Sequence, residues 1–299
     1  MYVITGATGN TGSAIAQHLL AQGKTVRVVS RSLDRLRPLA AHGAELFPCD
    51  LADTVPLIRA FDGAEAVYAM IPPNQTASDV QAAQERVSDS FADALARTKV
   101  PYAVVLSSIG ADKSSGTGPV TGLHRLEHKL SRIAGLNTLY LRAGYFMENT
   151  LAQADIISQT GHAAGPLHPD LKFPMIATRD IAAAASDELA RLAFRGHQTR
   201  ELLGPRDYAY RDIAAVIGKA IGQPNLQYVQ MSAGQFRSAL TGMGMSASMA
   251  EALGEMSEAL NSGRMRALES RSPGNTTPTT YETFVAEEFV PAYRRKSAA

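Results

Sequence analysis

Short apolar runs alternate with stretches of helical periodicity over the first half of the chain. The predicted strands lie at residues 2–4, 25–30, 45–48, 66–71, 102–106 and 137–141. The predicted helices between them include residues 11–22, 77–98 and 123–133. Several of these strands are apolar throughout, and such strands in alternation with helices form parallel sheets that are covered on both faces. The pattern therefore predicts an α/β fold built on a doubly wound parallel sheet.

The pattern becomes less regular after residue 144, where glycine and proline are frequent before a mostly helical remainder. We predict two domains. The first comprises residues 1–145, and residues 175–205 return to it. The second is smaller and mostly helical, comprises residues 146–174 and 206–299, and is expected to bind the substrate.

A glycine-rich turn joins the first predicted strand to the first predicted helix. Its glycines stand at G-x-x-G-x-x-G spacing, which lets the backbone turn tightly, approach a pyrophosphate and bring helix and strand together. The helix that follows offers unpaired N–H groups to an anion. A plain strand-to-helix turn is the alternative, but the strand, turn and helix context favours a dinucleotide site. The predicted cofactor-binding residues here are Gly6, Thr8, Gly9, Asn10, Thr11 and Gly12.

The amino-acid composition limits the kinds of molecule that the protein is expected to bind. The 299 residues include 29 basic and 28 acidic side chains, a net charge of +1 that gives no support for binding to nucleic acid or to a membrane surface. We therefore expect a small-molecule partner. Cys49 is the only cysteine, which excludes an internal disulfide and a thiolate metal cluster and fits a reducing, cytoplasmic setting. No apolar run approaches the length of a membrane span, and the predicted strand at residue 2 leaves no room for a signal peptide.

The end of the second strand bears on the choice of dinucleotide. An acidic residue there binds the ribose of NAD, whereas a cation accommodates the 2′-phosphate of NADP. This chain has Arg31 at that point, with Arg35 close behind, so we predict that NADP(H) is preferred over NAD(H). A solvated Arg31 at a strand terminus is the alternative. Further expected cofactor contacts follow the third and fourth strands, namely Cys49, Asp50 and Leu51 on the adenine side and Met70, Ile71 and Pro72 along the adenosine or the nicotinamide ribose.

Four motifs together resemble one known family. They are T-G-A-T-G-N-T-G from residue 5, V-S-R from residue 29, S-S at residue 107, and L-R-A-G-Y-F-M-E-N from residue 141. In this combination the chain is similar to the NmrA-like branch of the atypical short-chain dehydrogenases/reductases. The resemblance implies a Rossmann domain, a smaller C-terminal substrate domain and binding of NADP or NAD. It does not by itself imply a reaction.

The catalytic pair of the broader superfamily is absent. Typical members carry Tyr-x-x-x-Lys on the helix after strand five, where the lysine lowers the pKa of the phenol. Here Leu123 and His124 open that helix, and we predict that His124 faces the cofactor as an acid or base. Ser107 and Ser108, just past strand five, are predicted to reach the nicotinamide ribose or a substrate carbonyl, with Ser108 as the second catalytic candidate. Simple turn caps are the alternative for both serines.

The motif after strand six is predicted to contact the nicotinamide. Tyr145, Phe146 and Asn149 are expected to pack against the ring and its amide, whereas Arg142 and Glu148 are interpreted as a structural ion pair.

A metal-binding pattern also occurs in this region. His124, Glu127 and His128 match H-x-x-E-H, in which two histidines share one helical face, as in certain zinc peptidases. The match lies inside a nucleotide-binding sheet and lacks a compelling third ligand, so we predict that the protein binds no metal.

Three functions are compatible with these patterns. The first is an NADPH-dependent oxidoreductase that reduces a small apolar acceptor, with quinones as the leading class, because such acceptors need little acid help from the protein. Methionines at 231, 243, 245, 249, 256 and 265 either line an adaptable apolar pocket or pack a core. The second function is a non-catalytic NADP(H) sensor that acts through a regulatory protein partner, and the third, less expected, is an NAD-dependent sugar epimerase or dehydratase. Whether the protein forms a homodimer is a question that the sequence leaves open.

Overall fold

The computed structural model describes residues 1–297 of the protein, so Ala298 and Ala299, at the end of the predicted second domain, lie outside the described part. Strands and helices alternate over the first half, as predicted. The strands are β1 (Tyr2–Thr5), β2 (Val26–Ser30), β3 (Glu45–Pro48), β4 (Ala66–Ala69), β5 (Tyr102–Ser108) and β6 (Asn137–Ala143). The helices are α1 (Asn10–Ala21), α2 (Leu33–Ala40), α3 (Thr54–Phe61), α4 (Val80–Thr98) and α5 (Val120–Leu130).

The second half has shorter strands and a larger share of helix. Its strands are β7 (Tyr145–Phe146), β8 (Ala163–Gly165), β9 (Phe173–Ile176), β10 (His197–Leu202), β11 (Asp207–Tyr208) and β12 (Tyr228–Gln230). Its helices are α6 (Gln153–Thr160), α7 (Thr178–Arg191), α8 (Tyr210–Ile221), α9 (Ala233–Gly242), α10 (Ala247–Asn261), α11 (Tyr281–Phe284) and α12 (Val290–Ser297). A 3₁₀ helix (Met147–Ala152) follows β7, and a π-helical turn (Val285–Phe289) joins α11 to α12. None of the described helices is both long and apolar enough to cross a membrane.

A central sheet of seven strands has the order β10-β6-β5-β4-β1-β2-β3. Every neighbouring pair is parallel, and Tyr2 of β1 lies opposite both Val26 of β2 and Ala66 of β4. Because the chain passes from β3 back across β1 to β4, the connections leave the carboxyl ends of β1 and β4 in opposite directions. A crevice opens at that point, where ligands of such sheets bind. The predicted doubly wound α/β fold is confirmed.

Both faces of the sheet are covered by buried apolar side chains. On one face, Leu19 of α1 and Ile181 of α7 belong to the same core cluster. On the other face, α3 and α4 meet through Phe61 and Phe91, whose ring centroids are 6.0 Å apart. Burial on both sides explains why the strands lack a polar face.

A third apolar core lies beyond β6. It includes Tyr208, Tyr281 and Phe284, each at most 1% exposed. Two small sheets, in the orders β11-β9-β7 and β12-β8, accompany this core. Strand β10 comes from the second half of the chain and joins the central sheet beside β6, with Leu202 opposite Ala143. The exact domain boundaries stay a prediction.

Several element boundaries differ from those predicted. β5 extends to Ser108, because its pairing with β6 continues through Ser108 and Ala143, so the two serines end the strand rather than follow it. The following helix begins at Val120, three residues before the predicted start. The long helix begins at Val80 because the Asp79 side chain accepts a hydrogen bond from the Ala82 N–H at 2.9 Å, which caps the helix there.

Candidate functional site

A cleft of about 560 Å³ lies at the carboxyl ends of the strands of the central sheet. The strand order places the ends of β2 and β3 at one side of the cleft and the ends of β5 and β6 at the other. Fourteen of the residues predicted from sequence line it: Gly6, Thr8, Arg31, Cys49, Asp50, Leu51, Met70, Ile71, Pro72, Ser107, Ser108, Tyr145, Phe146 and Asn149. Six others, Gly9, Asn10, Thr11, Gly12, Arg35 and His124, are not among its lining residues.

The glycine turn forms a cradle beside the start of α1. Gly6 has a φ of +62°, a left-handed conformation that favours glycine. A Cβ on Gly12 would lie 2.4 Å from the Gly6 carbonyl oxygen, so helix and turn approach each other as closely as the backbone allows. No side chain caps α1 at Gly9, which leaves the first N–H groups of the helix without a side-chain acceptor. The cradle therefore fits a pyrophosphate.

Thr11 is buried at the start of α1 and does not line the cleft. Its side chain is 6% exposed and accepts a hydrogen bond from the Tyr68 hydroxyl at 3.1 Å, which ties the start of α1 to β4. Burial raises the pKa of Tyr68, so this phenol keeps its proton and stays a donor.

Cations and a carboxylate surround the β2 and β3 end of the cleft. Arg31 is exposed, and its guanidinium has no hydrogen-bond or ion-pair partner in the described part of the chain. Arg35 is held close by, because its Nη2 donates to the Thr8 carbonyl at 3.1 Å. The Asp50 side chain accepts from the Ala52 N–H at 3.0 Å, which fixes the loop after β3.

The sequence prediction missed a second cation that lines the cleft. Arg86 lies on α4, and its guanidinium likewise has no partner among the residues of the described structure. Its neighbour Glu85 bonds Lys129 of α5 at 2.5 Å. One residue along a helix turns the side chain by about 100°, so Arg86 lies on the flank of α4 away from α5. That flank faces α3 and the loop after β3. No local sequence signal marks this residue, because the cleft is formed by packing.

Ser107 belongs to a buried polar cluster at the other end of the cleft. Its hydroxyl donates to Glu127 Oε1 at 2.5 Å, and Arg142 binds both oxygens of the same carboxylate. Burial opposes the charge of Arg142, but the hydrogen bonds with Glu127 outweigh it and raise the pKa of the guanidinium. The predicted ion pair of Arg142 with Glu148 is therefore wrong. Glu148 instead accepts from the N–H and the hydroxyl of Thr178.

His124 does not face the cleft. Its Nδ1 lies 2.8 Å from the Ala111 carbonyl oxygen, and Val120 and Leu123 are the residues of α5 that line the cleft. The expectation that His124 faces the cofactor is wrong, because its ring is held by the loop before α5 and does not line the cleft. Ser108 does line the cleft, and its hydroxyl donates to the Ile109 carbonyl at 3.0 Å.

The H-x-x-E-H match has no metal-site geometry. The rings of His124 and His128 stack with centroids 6.3 Å apart, while Glu127 bonds Arg142 and Ser107. Among residues 1–297 no group of three or more His, Cys, Asp or Glu side chains could hold a metal ion.

Helix α10 forms an apolar wall over the β5 and β6 end of the cleft. The wall, which we define as the cleft-lining residues of α10 and the turn after it, comprises Met249, Leu253, Met256, Leu260 and Met265. Three of the six methionines singled out in the sequence belong to it, whereas Met243 is 65% exposed. Of the two roles predicted for these six methionines, pocket lining or core packing, pocket lining therefore applies to only three of them.

The α10 wall is attached to the loops around the central sheet by hydrogen bonds. Ser248 Oγ accepts from the Val80 N–H at 3.0 Å, and Glu255 accepts from the Gly118 N–H at 3.2 Å. Gly118 has a φ of +58°, and a Cβ there would lie 1.9 Å from the Ala252 carbonyl oxygen. The wall is distant in sequence from the glycine cradle, and only tertiary packing brings the two together.

Comparison with known proteins agrees with this architecture. The NAD(P)H azoreductase of Xenophilus azovorans is 28% identical over 260 residues, which cover 86% of each chain. The (4-alkanoyl-5-oxo-2,5-dihydrofuran-3-yl)methyl phosphate reductase of Streptomyces griseus is 29% identical over 242 residues, or 80% of each chain. The crystal structure of an NADPH-dependent quinone oxidoreductase from Escherichia coli has the same fold, with a TM-score of 0.79 and 24% identity over 97% of this chain and 100% of that one. The family model of the NmrA-like family matches residues 2–289. The chain therefore belongs to the NmrA-like family.

Proposed function

We propose that the protein is an NADPH-dependent reductase of a small apolar acceptor, with quinone-type acceptors as the leading class. The observation that carries the proposal is that the two ends of the cleft are lined by residues of different chemistry. A glycine cradle and Arg31, which has no partner among residues 1–297, lie at one end, and the apolar α10 wall lies at the other. One continuous cleft of this kind accommodates a dinucleotide together with a second, apolar ligand.

The cofactor end fits NADP(H). The Gly6 turn and the uncapped start of α1 suit the pyrophosphate, and the free guanidinium of Arg31 suits a 2′-phosphate. When bound, the nicotinamide would supply a hydride. The residues of this chain then bind, orient and exclude water rather than provide the electrons.

The acceptor end is apolar and adaptable. Methionine side chains fill irregular space and make favourable contacts with aromatic rings, so the α10 wall suits a flat, conjugated acceptor. The names of relatives support this class, because an azoreductase and a quinone oxidoreductase are among them. We also propose a cytoplasmic setting, which the single, buried thiol of Cys49 supports.

Paired titrations of NADPH and NADH test the cofactor assignment. We expect Arg31→Ala to weaken NADPH binding by about tenfold or more and to leave NADH binding unchanged, because only NADPH carries the 2′-phosphate. Arg37→Ala is the matched control, since Arg37 is 72% exposed at its side chain and pairs with Asp34. An intact preference for NADPH in Arg31→Ala would contradict the assignment.

A panel of quinones, azo dyes and activated alkenes tests the reaction. We expect steady NADPH consumption with at least one quinone. Tight cofactor binding without turnover, together with NADPH-dependent capture of one protein partner, would instead support the redox-sensor alternative. That alternative is motivated by the absence of the Tyr-x-x-x-Lys pair from α5.

A further inference from the structure

The acceptor end of the cleft contains few side chains with a proton free to donate. The hydroxyl of Ser107 donates to Glu127, and that of Ser108 donates to the Ile109 carbonyl. His124 bonds Ala111 away from the cleft. A reduced acceptor gains negative charge on an oxygen or nitrogen atom, so a donor at this end would stabilise it.

Tyr145 is the other hydroxyl-bearing residue that lines this end of the cleft in the described structure. Its ring packs edge-on against Phe173, with centroids 5.2 Å apart and an interplanar angle of 62°. Its hydroxyl oxygen lies 3.2 Å from the hydroxyl oxygen of Tyr210. Tyr210 is 4% exposed and is itself fixed by stacking on Tyr228, with centroids 4.6 Å apart.

Hydrogen-bond accounting gives the direction of the Tyr145 to Tyr210 bond. Within the described residues, the buried Tyr210 hydroxyl has no hydrogen-bond partner other than Tyr145. A buried O–H group must donate, and therefore Tyr210 donates to the Tyr145 oxygen. With its oxygen serving as an acceptor, the Tyr145 hydroxyl keeps its own proton for a group in the cleft.

We propose that Tyr145, oriented by Tyr210, donates a hydrogen bond to the acceptor atom that gains negative charge during reduction. Tyr145 is then a catalytic residue, and Tyr210 is a positioning residue. The inference rests on the proposed function and deepens it, because it supplies the donor that the absent Tyr-x-x-x-Lys pair does not.

Protonation states support the donor role. Burial raises the pKa of Tyr145, against the lowering effect of the hydrogen bond from Tyr210. Burial also raises the pKa of Tyr210. Both phenols therefore stay protonated at neutral pH, and Tyr145 acts as a neutral donor rather than as a base. The apolar α10 wall strengthens such a hydrogen bond by excluding water.

Single-oxygen deletions test the proposal. Tyr145→Phe keeps the ring that packs on Phe173 and removes only the donor. We expect kcat to fall by on the order of 100-fold with a weakly activated acceptor such as an enal, and by less with a quinone, which needs less stabilisation. We expect Tyr210→Phe to cause a smaller loss of about tenfold, because it misorients the donor without removing it. The Kd for NADPH should stay unchanged in both variants.

A binding measurement tests the role of Tyr145 without requiring turnover of an acceptor. 4-Nitrophenolate is an anionic, aromatic stand-in for the charged acceptor, and its absorbance reports binding to the wild type with and without NADP⁺. We expect Tyr145→Phe to weaken its binding by about tenfold. Tyr102→Phe is the matched control, since it removes a phenol at the start of β5, at the edge of the sheet opposite the cleft.

Equal kcat and equal 4-nitrophenolate affinity in wild type and Tyr145→Phe would overturn the proposal. A wild type that binds NADPH and reduces none of the acceptors would overturn the proposed function instead. In that case the 4-nitrophenolate titration still decides whether Tyr145 donates into the cleft. A loss of NADPH binding in Tyr145→Phe that matches its loss of activity would show a packing role and also overturn the proposal.

Discussion

Arg142 donates two hydrogen bonds to the Glu127 carboxylate, from Nε to Oε1 at 3.0 Å and from Nη2 to Oε2 at 2.6 Å. Their side chains are 14% and 9% exposed. Since Ser107 donates to the same carboxylate, three elements of the fold, β5, β6 and α5, meet at one buried charge. This cluster fixes the floor of the acceptor end of the cleft.

Removing one partner of this pair is expected to destabilise the protein strongly. Glu127→Ala leaves the Arg142 guanidinium largely buried without a counter-charge, which costs about 3 kcal/mol of the free energy of unfolding. Urea denaturation measures this loss. Asp170→Ala is the control, because Asp170 pairs with Arg211 where both side chains are 71% exposed, and its loss costs less than about 1 kcal/mol. Equal losses in the two variants would contradict the prediction.

The glycine cradle predicts a contrast between two alanine substitutions. A Cβ at Gly12 would lie 2.4 Å from the Gly6 carbonyl oxygen, whereas a Cβ at Gly9 would lie 3.4 Å from the same atom. We expect Gly12→Ala to lower the free energy of unfolding by about 2 kcal/mol through overpacking. Gly9→Ala should leave stability nearly unchanged and still weaken NADPH binding, because its methyl group obstructs the pyrophosphate. Thermal unfolding and NADPH titration separate the two effects, and similar stability of the two variants would count against the close approach described.

The two unpaired arginines at the adenosine end are expected to differ in cofactor selectivity. Arg86 lies on the flank of α4 that faces the loop after β3, where the adenine is expected. Arg86→Ala should therefore weaken NADPH and NADH binding alike, by about threefold to tenfold, since both cofactors share the adenine. Arg31→Ala should weaken NADPH binding alone. Fluorescence titration of both cofactors checks this, and a selective loss of NADPH in Arg86→Ala would reassign that residue to the phosphate.

The α10 wall predicts an effect on the acceptor without an effect on the cofactor. Met256→Ala removes part of an apolar surface that lines the cleft, so we expect KM for a quinone to rise by about tenfold, in keeping with the loss of one large apolar contact. The Kd for NADPH should not change. Met243→Ala serves as the control, because Met243 is 65% exposed. A change in NADPH affinity with an unchanged KM for the quinone would contradict this division of the cleft.

Cys49 is predicted to be an unreactive thiol at neutral pH. Burial, followed by the charges of Asp50 and Asp53, raises its pKa to about 11. A raised pKa keeps the proton on sulfur, so alkylation by iodoacetamide should be about 100-fold slower than in the urea-unfolded chain at neutral pH and should accelerate as the pH rises toward that value. NADPH should slow the reaction further, because Cys49 lines the cleft. Rapid labelling of the folded protein at neutral pH would contradict the burial of this thiol.

Sequence reasoning succeeded where function depends on local spacing. The glycines of the turn at residues 6–12 and the residues at strand ends, such as Arg31 and Ser107, are placed by the alternation of strand and helix alone. Fourteen of the predicted residues consequently line one cleft. The apolar strands identified the central sheet for the same reason, since burial on both faces is visible in the hydrophobic pattern.

Sequence reasoning failed where the outcome depends on partners remote in the chain. Glu127 lies fifteen residues from Arg142, yet it binds that guanidinium in preference to the nearby Glu148, because β6 and α5 bring the two together. His124 bonds the Ala111 carbonyl of the loop before α5, a contact that spacing within the helix does not indicate. Arg86 and the α10 wall carry no local signal, because their neighbours in the cleft come from distant segments.

Two hydrogen bonds to α10 come from backbone N–H groups, those of Val80 and Gly118, which donate to the side chains of Ser248 and Glu255. Backbone groups persist whatever side chains surround them. The cleft-facing positions of α10 can therefore change by point substitution while the helix stays in place and the glycine cradle is unaffected. Such a division allows a lineage to acquire new acceptors through one short segment, and it identifies that segment as the place to begin when the protein is redesigned for a chosen dye or quinone.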